Sequence, residues 1–285
     1  MIPIYITAFN RPFYLDRCIQ SIKKYVTNYS SIKVLDGGTP IKYQEKLKQL
    51  YPEVEIIEST QDAFDFWIQE IEKENYPYIC EFHDDEWFIE PVDLATIESK
   101  MKKYNLPAVK LIYGTEFLNG IDTEVIDYVE VYKPNFSYHA WQAWLFCMMV
   151  YLKDYWLIGF KANSHKLEWE QGWAEDSMVK ATTDYILVNN LSMGRLPIRS
   201  MCQGQAIGSR TDGLARYRGL AQPLYLNATS ELWYNGKMDV LENFPKDFSV
   251  GYLESIFREQ GVPNNDIEAW KRLRTSLLDD VNFLI

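Results

Sequence analysis

The sequence predicts an α/β fold: a mostly parallel, Rossmann-like sheet flanked by helices, followed by a helical C-terminal extension. Short apolar runs alternate with amphipathic segments through the first hundred residues. Each apolar run ends in polar or turn-forming residues, and strands that alternate with helices favour a parallel sheet. The chain of 285 residues is long enough for one large domain and an extension. We place the domain at residues 1–195 and the extension at 196–285.

The individual elements follow from local patterns. Buried-type apolar runs predict four strands, at 2–6, 32–35, 54–57 and 78–82. Apolar residues at helical spacing between them predict helices around 15–26, 43–50 and 64–71, the first with Pro12 near its start. A further helix is predicted at 94–104, a strand at 109–113, a buried segment at 141–160 and a helix at 174–182. The tail predicts helices near 250–260 and 265–281, the second opening with a capping-box pattern.

Polar groups follow three of the four predicted strands. They are Thr7 to Arg11, Asp36 to Thr39, and His83 to Glu86. Ligands of open α/β sheets bind beyond the carboxyl ends of the strands. We therefore expect the three groups to converge on one edge of the sheet.

The third group, His83-Asp84-Asp85-Glu86, concentrates acidic side chains at a strand end. Adjacent carboxylates repel each other unless a cation or hydrogen-bond donors neutralise them. Mg²⁺ and similar hard ions take few protein carboxylates and complete their shell with water and phosphate oxygens. The cluster therefore predicts either a metal-diphosphate site or a solvated acidic turn that caps the next helix.

Five segments in order resemble family-two glycosyltransferases, which have the GT-A fold. Residues 4–12 resemble the family's opening strand and turn, residues 34–39 its Asp-rich turn, and residues 78–85 its metal motif. The acceptor segment of the family, Gly-Phe followed by Glu-Asp, is similar to residues 154–160 and 172–176. The resemblance ends at about Thr182.

This resemblance implies metal-dependent, inverting transfer of a sugar from a nucleotide-sugar, with a UDP-sugar expected, to a glycan or other hydroxyl acceptor. It implies Mn²⁺ or Mg²⁺ as cofactor, with Asp85 as principal ligand and Asp84 beside it, near the ribose and diphosphate. Asp176, or else Glu175, would be the general base. The remaining nucleotide-binding positions would be Thr7, Ala8, Phe9, Arg11, Asp36 and Gly37.

The sequence also departs from the family pattern. His83 stands where the metal motif often has Asp, and Gly37 follows Asp36 where a second acid is common. The Arg often found before the fourth strand has no clear counterpart around Gln61 and Asp62. Thr7 and Asp36 could also serve only to shape their turns.

On the acceptor side, inverting transfer needs a carboxylate that takes the hydroxyl proton. Asp176 suits this role, although an acid at a helix start is also stabilised by the helix dipole. Trp173 would stack on the acceptor sugar or pack in the core. Arg210, Arg216 and Arg218 lie in a Gly-rich, locally basic segment, which would either close over the donor diphosphate or form a solvated surface loop.

Amino-acid composition limits which partners and which cellular location we expect for the protein. A net charge of −11 disfavours nucleic acid as a partner, and the apolar runs are too short for a transmembrane segment. Four scattered cysteines and the lack of a basic leader predict a cytoplasmic protein. Two other functions remain open: a non-catalytic nucleotide- or glycan-binding protein on a GT-A scaffold, and a sugar nucleotidylyltransferase. The latter needs a Gly-rich loop after the first strand, and residues 7–12 contain no Gly.

Overall fold

The computed structural model describes most of the first two hundred residues and isolated positions beyond them. The described ranges are 1–59, 63–111, 123–126, 128–134, 149–163, 174–197, 201–203, 230–231, 233–236, 254–255, 258, 261, 263–265 and 267–268. The extension predicted at 196–285 therefore lies largely outside the described residues. Within them, no helix is long and apolar enough to cross a membrane.

A nine-stranded sheet forms the centre of the fold. The strands are numbered in chain order. From one edge of the sheet to the other they are β4 (Glu55–Glu58), β3 (Tyr29–Asp36), β1 (Ile2–Ala8), β5 (Tyr78–His83), β11 (Met149–Leu152), β8 (Ala108–Lys110), β12 (Met193–Arg195), β10 (Val129–Tyr132) and β9 (Thr123–Ile126). Strands β4, β3, β1 and β5 are parallel to one another. Only β11 and β10 run against the other described strands of this sheet. The predicted α/β class with a mostly parallel sheet is confirmed.

Six described helices accompany the sheet. They are α1 (Pro12–Tyr25), α2 (Ile41–Leu50), α3 (Ala63–Glu72), α4 (Leu94–Tyr104), α5 (Lys153–Asn163) and α6 (Ala174–Val188). Pro12 occupies the start of α1, where its missing N–H costs no hydrogen bond. The Asp93 side chain caps α4 by accepting from the Ala95 N–H, and Asn105 ends it in the left-handed region at φ 52°.

Two apolar clusters pack on opposite faces of the sheet. Side chains alternate along β1, so Ile4 and Ile6 belong to one cluster and Tyr5 to the other. The first cluster includes residues of α1, α2 and α4, and the second includes residues of α3, α5 and α6. Because both faces are covered, the central strands are buried, which explains their continuous apolar runs.

Two short strand pairs lie outside the main sheet. Strand β2 (Val26–Thr27) pairs with β7 (Val92–Asp93), and β6 (Glu86–Phe88) pairs with β13 (Met201–Gln203). The second pair places Gln203 opposite Glu86. Residues 201–203 therefore lie beside the acidic cluster that follows β5.

Part of the C-terminal region packs against the first two helices. Trp233 is buried, and its Nε1–H donates to Asp16 Oδ2 on α1 at 2.6 Å. Tyr51, which ends α2, also donates its hydroxyl to Asp16. Glu231 accepts from the Tyr43 hydroxyl of α2 at 2.7 Å. These contacts anchor residues 230–231 and 233–236 to the amino-terminal half of the fold.

Candidate active site

The ends of β1, β3 and β5 meet at one edge of the sheet. Thr7 is in register with His83 of β5, and Ala8 is in register with Asp36 of β3. Backbone hydrogen bonds continue past the strands, from Asp84 N to Thr7 O at 3.0 Å and from Gly37 N to Ala8 O at 2.8 Å. The predicted convergence of the three polar groups is confirmed. Parallel pairing alone brings them together, since each group follows its strand directly.

Arg11 joins the turn after β1 to the acidic cluster. Its guanidinium forms a two-point ion pair with Asp84, through NH2 to Oδ1 and through Nε to Oδ2 at 3.2 Å. NH1 donates to Asp85 Oδ2 at 2.8 Å, and the Phe9 backbone N–H donates to Asp84 Oδ2 at 3.2 Å. All three charged side chains are buried. The planar fork of arginine suits this geometry, because it offers several N–H groups in fixed directions.

Electrostatic effects at this network are strong because water is excluded. Burial acts to lower the pKa of Arg11, but Asp84 and Asp85 outweigh it and hold that pKa above its usual range. Burial raises the pKa of Asp84, and the charge of Arg11 opposes the rise. Arg11 is therefore a permanent cation here, and its two-point contact favours the ionised form of Asp84.

Asp85 has one oxygen that the network leaves unused. Its Oδ1 is buried and has no hydrogen-bond partner among the described residues. Asp85, His83 and Glu86 each offer a ligand atom, and these atoms all lie within 4.8 Å of one another. Glu86 is fully buried and accepts the backbone N–H of His83 at 2.8 Å. Carboxylate and imidazole groups at this spacing fit a divalent cation.

Asp84 and Asp85 differ in their contacts, although they are neighbours in sequence. Asp85, the predicted principal ligand, lies in the group that could hold a metal ion, and its role as a ligand stays a prediction. Asp84, expected beside it as a ligand and near the ribose, has its carboxylate engaged by Arg11 and the Phe9 N–H. The other members of that group are His83 and Glu86, for which the sequence predicts no definite role, and a ligand role for Asp84 stays a prediction.

A second buried acid lies behind this group, on the same strand. Glu81 is 1% exposed, and its Oε1 is 4.0 Å from His83 Nε2. Burial raises the pKa of Glu81 to about 8, and a contact with Trp156 opposes the rise. Sequence reasoning missed this residue because it lies within an apolar run. Its spacing of two from His83, which places both on one face of a strand, was the available signal.

The turn after β3 is shaped by Asp36. Its Oδ1 accepts the backbone N–H groups of Gly38 and Thr39 at 3.1 and 3.0 Å, and its Oδ2 accepts Gln44 Nε2 at 3.0 Å. A Cβ at Gly37 would lie 3.1 Å from a Phe9 ring carbon, and Gly38 has φ of 144°. The two glycines let the Phe9 ring lie against the turn. A role for Asp36 in binding a base or ribose stays a prediction.

Of the predicted nucleotide-pocket side chains, Phe9 is the one that reaches solvent. It is 45% exposed, whereas Thr7 and Ala8 are each 4% exposed. The exposed ring lies against Gly37 and Gly38 and offers a flat apolar surface at this edge of the sheet. Thr7 and Ala8 shape the edge through their backbone.

The predicted acceptor-side residues are only partly described. Glu175 and Asp176 occupy the first turn of α6, which confirms the helix predicted at 174–182, but their side chains lie outside the described set. Trp173 lies outside the described residues. The three arginines predicted to close over the diphosphate also lie outside them: Arg210, Arg216 and Arg218. Their roles stay predictions.

Comparison with known proteins adds similarities of overall structure. No protein-family model matches the chain, and no curated protein matches it in sequence. Residues 1–349 of S. aureus TarS are similar to it at 12% identity and a TM-score of 0.48, over 98% of this chain and 92% of that one. The same TarS fragment in complex with UDP-GlcNAc is similar at 10% identity and a TM-score of 0.48, over 96% and 79%.

A CMP-2-keto-3-deoxy-manno-octonic acid synthetase complexed with CTP is similar at 12% identity and a TM-score of 0.42, over 83% of this chain and 100% of that one. The three TM-scores lie below 0.5, so these similarities assign no activity to the chain.

Proposed function

We propose that this protein is a metal-dependent, inverting glycosyltransferase that moves a sugar from a nucleotide-sugar, with UDP as the expected nucleotide, to a hydroxyl group of a glycan or other acceptor. One observation carries the proposal. The buried Oδ1 of Asp85 has no described hydrogen-bond partner and lies beside His83 and Glu86, at the edge where α/β sheets bind ligands. A carboxylate oxygen left this way in a buried site is costly unless a cation neutralises it.

The donor would lie across the ends of β1 and β5. The exposed ring of Phe9 offers a flat apolar surface on which a nucleobase can stack. Asp85, with His83 and Glu86, would hold Mn²⁺ or Mg²⁺, and the ion would neutralise the diphosphate as it leaves. Arg11 contacts both Asp84 and Asp85, and Asp84 also accepts the Phe9 N–H. These contacts hold the Phe9 turn and the Asp85 carboxylate in a fixed arrangement.

The acceptor would be activated from the opposite side of the sugar. Asp176 at the start of α6 would take the proton from the attacking hydroxyl, with Glu175 as the alternative base. Trp173 would stack on the acceptor sugar. Arg210, Arg216 and Arg218 would close over the diphosphate from the segment that follows Gln203, which β13 places opposite Glu86.

Calorimetric titration tests the donor half of this proposal. UDP is expected to bind the protein with Mn²⁺ or Mg²⁺ present and to bind far more weakly in EDTA. Asp85→Ala should abolish the metal dependence. Glu90→Ala serves as a matched control, because Glu90 is an acid a few residues beyond the cluster and outside the metal-site group. The metal assignment would be contradicted if the affinity for UDP changed neither on removal of the ion nor in Asp85→Ala.

Single-turnover assays with a panel of nucleotide-sugars test the catalytic half. Asp176→Asn is expected to retain UDP binding and to slow transfer by roughly 10² to 10⁴-fold, the usual contribution of a positioned base. Undiminished transfer would remove Asp176 as the base, and Glu175→Gln would then be examined. Metal-dependent nucleotide binding without turnover of any donor would indicate a non-catalytic binding protein.

A further inference from the structure

Glu81 is an acidic side chain in the buried centre of the sheet, where a contact with Trp156 offsets only part of the cost of burying its carboxylate. It lies within β5, and its register neighbours on the adjacent strands are Tyr5 and Met149, both fully buried. The carboxylate is 1% exposed, and its Oε1 has no hydrogen-bond partner among the described residues. Burying such a group costs free energy that an apolar residue of similar size would not. Packing therefore does not explain its presence.

The Oε1 atom of Glu81 lies near His83, a member of the candidate metal group. Residues two apart on a strand share a face, so Glu81 and His83 project from β5 in the same direction. The distance from Oε1 to His83 Nε2 is 4.0 Å. A hydrogen bond of ordinary length between these two atoms needs the distance to shorten by about 1 Å.

We propose that Glu81 is a positioning residue for His83: it accepts the proton on Nε2 and so leaves the lone pair of Nδ1 for a divalent cation held with Asp85 and Glu86. This inference rests on the proposed function, because it needs the cation. Carboxylates that accept the second N–H of a metal-binding histidine fix its tautomer and ring orientation, and losing them weakens metal binding about 10–100-fold. A buried acid that lowers stability is then explained by the site that it serves.

Two substitutions separate this role from a structural one. Glu81→Leu is expected to leave the melting temperature in EDTA unchanged or higher, because an apolar side chain replaces a buried carboxylate. The same variant should bind Mn²⁺ roughly 10–100-fold more weakly in calorimetric titration. Glu81→Gln retains an oxygen that can accept the N–H and should recover part of the loss. Met149→Leu, the volume-conserving change at the register neighbour on β11, is the control and should bind Mn²⁺ as the parent does.

The tautomer of His83 gives a readout that needs no metal. The chain has three histidines, so ¹H–¹⁵N correlation spectra of the ring nitrogens can be assigned with His83→Asn. At pH 9, where histidine is neutral, we expect the His83 proton on Nε2 in the parent and in Glu81→Gln, and a shift toward Nδ1 in Glu81→Leu.

The outcomes distinguish the two proposals. If the parent protein does not bind Mn²⁺ with or without UDP, the proposed function fails. If the parent binds Mn²⁺, the inference about Glu81 is overturned by any of three results: equal Mn²⁺ affinity in Glu81→Leu, a parent His83 with its proton on Nδ1, or a tautomer that the substitution does not change.

Discussion

Alanine substitutions of Asp84 and Asp85 should differ in their effects: the first should mainly lower stability, and the second should mainly weaken metal binding. The two carboxylates are neighbours in sequence and both are buried, yet their contacts differ. Asp84 accepts two N–H groups of Arg11 and the backbone N–H of Phe9, whereas Asp85 accepts one N–H of Arg11 and keeps its Oδ1 without a described partner. We therefore expect Asp84 to stabilise the fold of the site, whereas the proposed function gives Asp85 the role of binding the ion.

The magnitudes follow from these contacts. Removing one partner of a buried ion pair costs about 3–5 kcal/mol, because the other charge stays buried without compensation. Asp84→Ala leaves Arg11 with a single contact, to Asp85, and leaves the Phe9 N–H without its acceptor. Asp85→Ala removes one hydrogen bond while the two-point contact to Asp84 persists, which costs about 1–2 kcal/mol. In a protein of this size each kcal/mol lowers the melting temperature by about 2–4 °C.

Thermal unfolding in EDTA and calorimetric titration with Mn²⁺ and UDP measure the two effects separately. We expect Asp84→Ala to melt about 6–20 °C below the parent and Asp85→Ala to melt about 2–8 °C below it. Asp85→Ala should nevertheless lose metal-dependent UDP binding. The reasoning is refuted if Asp84→Ala melts with the parent, or if Asp85→Ala binds Mn²⁺ and UDP as the parent does.

Three further predictions concern stability. Burial lowers the pKa of Lys110 from 10.5 to about 7, so the free energy of unfolding should fall as pH drops from about 10.5 to 7. Lys110→Met should remove this dependence in urea unfolding and raise stability at pH 7 by up to about 5 kcal/mol; an unchanged pH profile would contradict it. Trp233→Phe should cost about 1–3 kcal/mol by removing a donor from buried Asp16, measured the same way. Gly194→Ala should lower the melting temperature, with a cost of about 1–3 kcal/mol, because its Cβ would lie 2.9 Å from Val109 Cγ2.

The parallel half of the sheet was predictable from the sequence because short, local residue patterns specify its strands and turns. Each of β1, β3, β4 and β5 is a short apolar run that ends at a turn, and the alternation with helices implies parallel pairing. The position of β11 was not predictable. It runs antiparallel between β5 and β8, which are separated from it in the chain by many residues. An apolar run carries no information about its neighbours in a sheet, so the sequence at 143–152 showed only that the segment is buried.

The site shows the same division between local and non-local information. The acidic cluster after β5 and its meeting with the turn after β1 follow from local pattern and parallel pairing. The ion pair of Arg11 with Asp84 joins residues 73 apart in sequence, and no spacing rule gives it. Resemblance placed Arg11 and Asp84 in a nucleotide pocket as separate contributors. Their contact with each other appears only once both strand ends are in place.

Arg11 also explains how adjacent carboxylates can be buried at a strand end before any ion binds. Its single positive charge satisfies Asp84 and one oxygen of Asp85, so the turn folds with most of its donors and acceptors paired. What remains for a cation is one oxygen of Asp85, with His83 and Glu86 nearby. The protein thus offers few carboxylates to an ion, and they lie next to a fixed positive charge. Such a site favours an ion whose shell is completed by phosphate oxygens, because the protein ligands alone are too few to hold it. Under the proposed function, the same guanidinium that stabilises the fold without an ion would also couple binding of the ion to binding of the diphosphate.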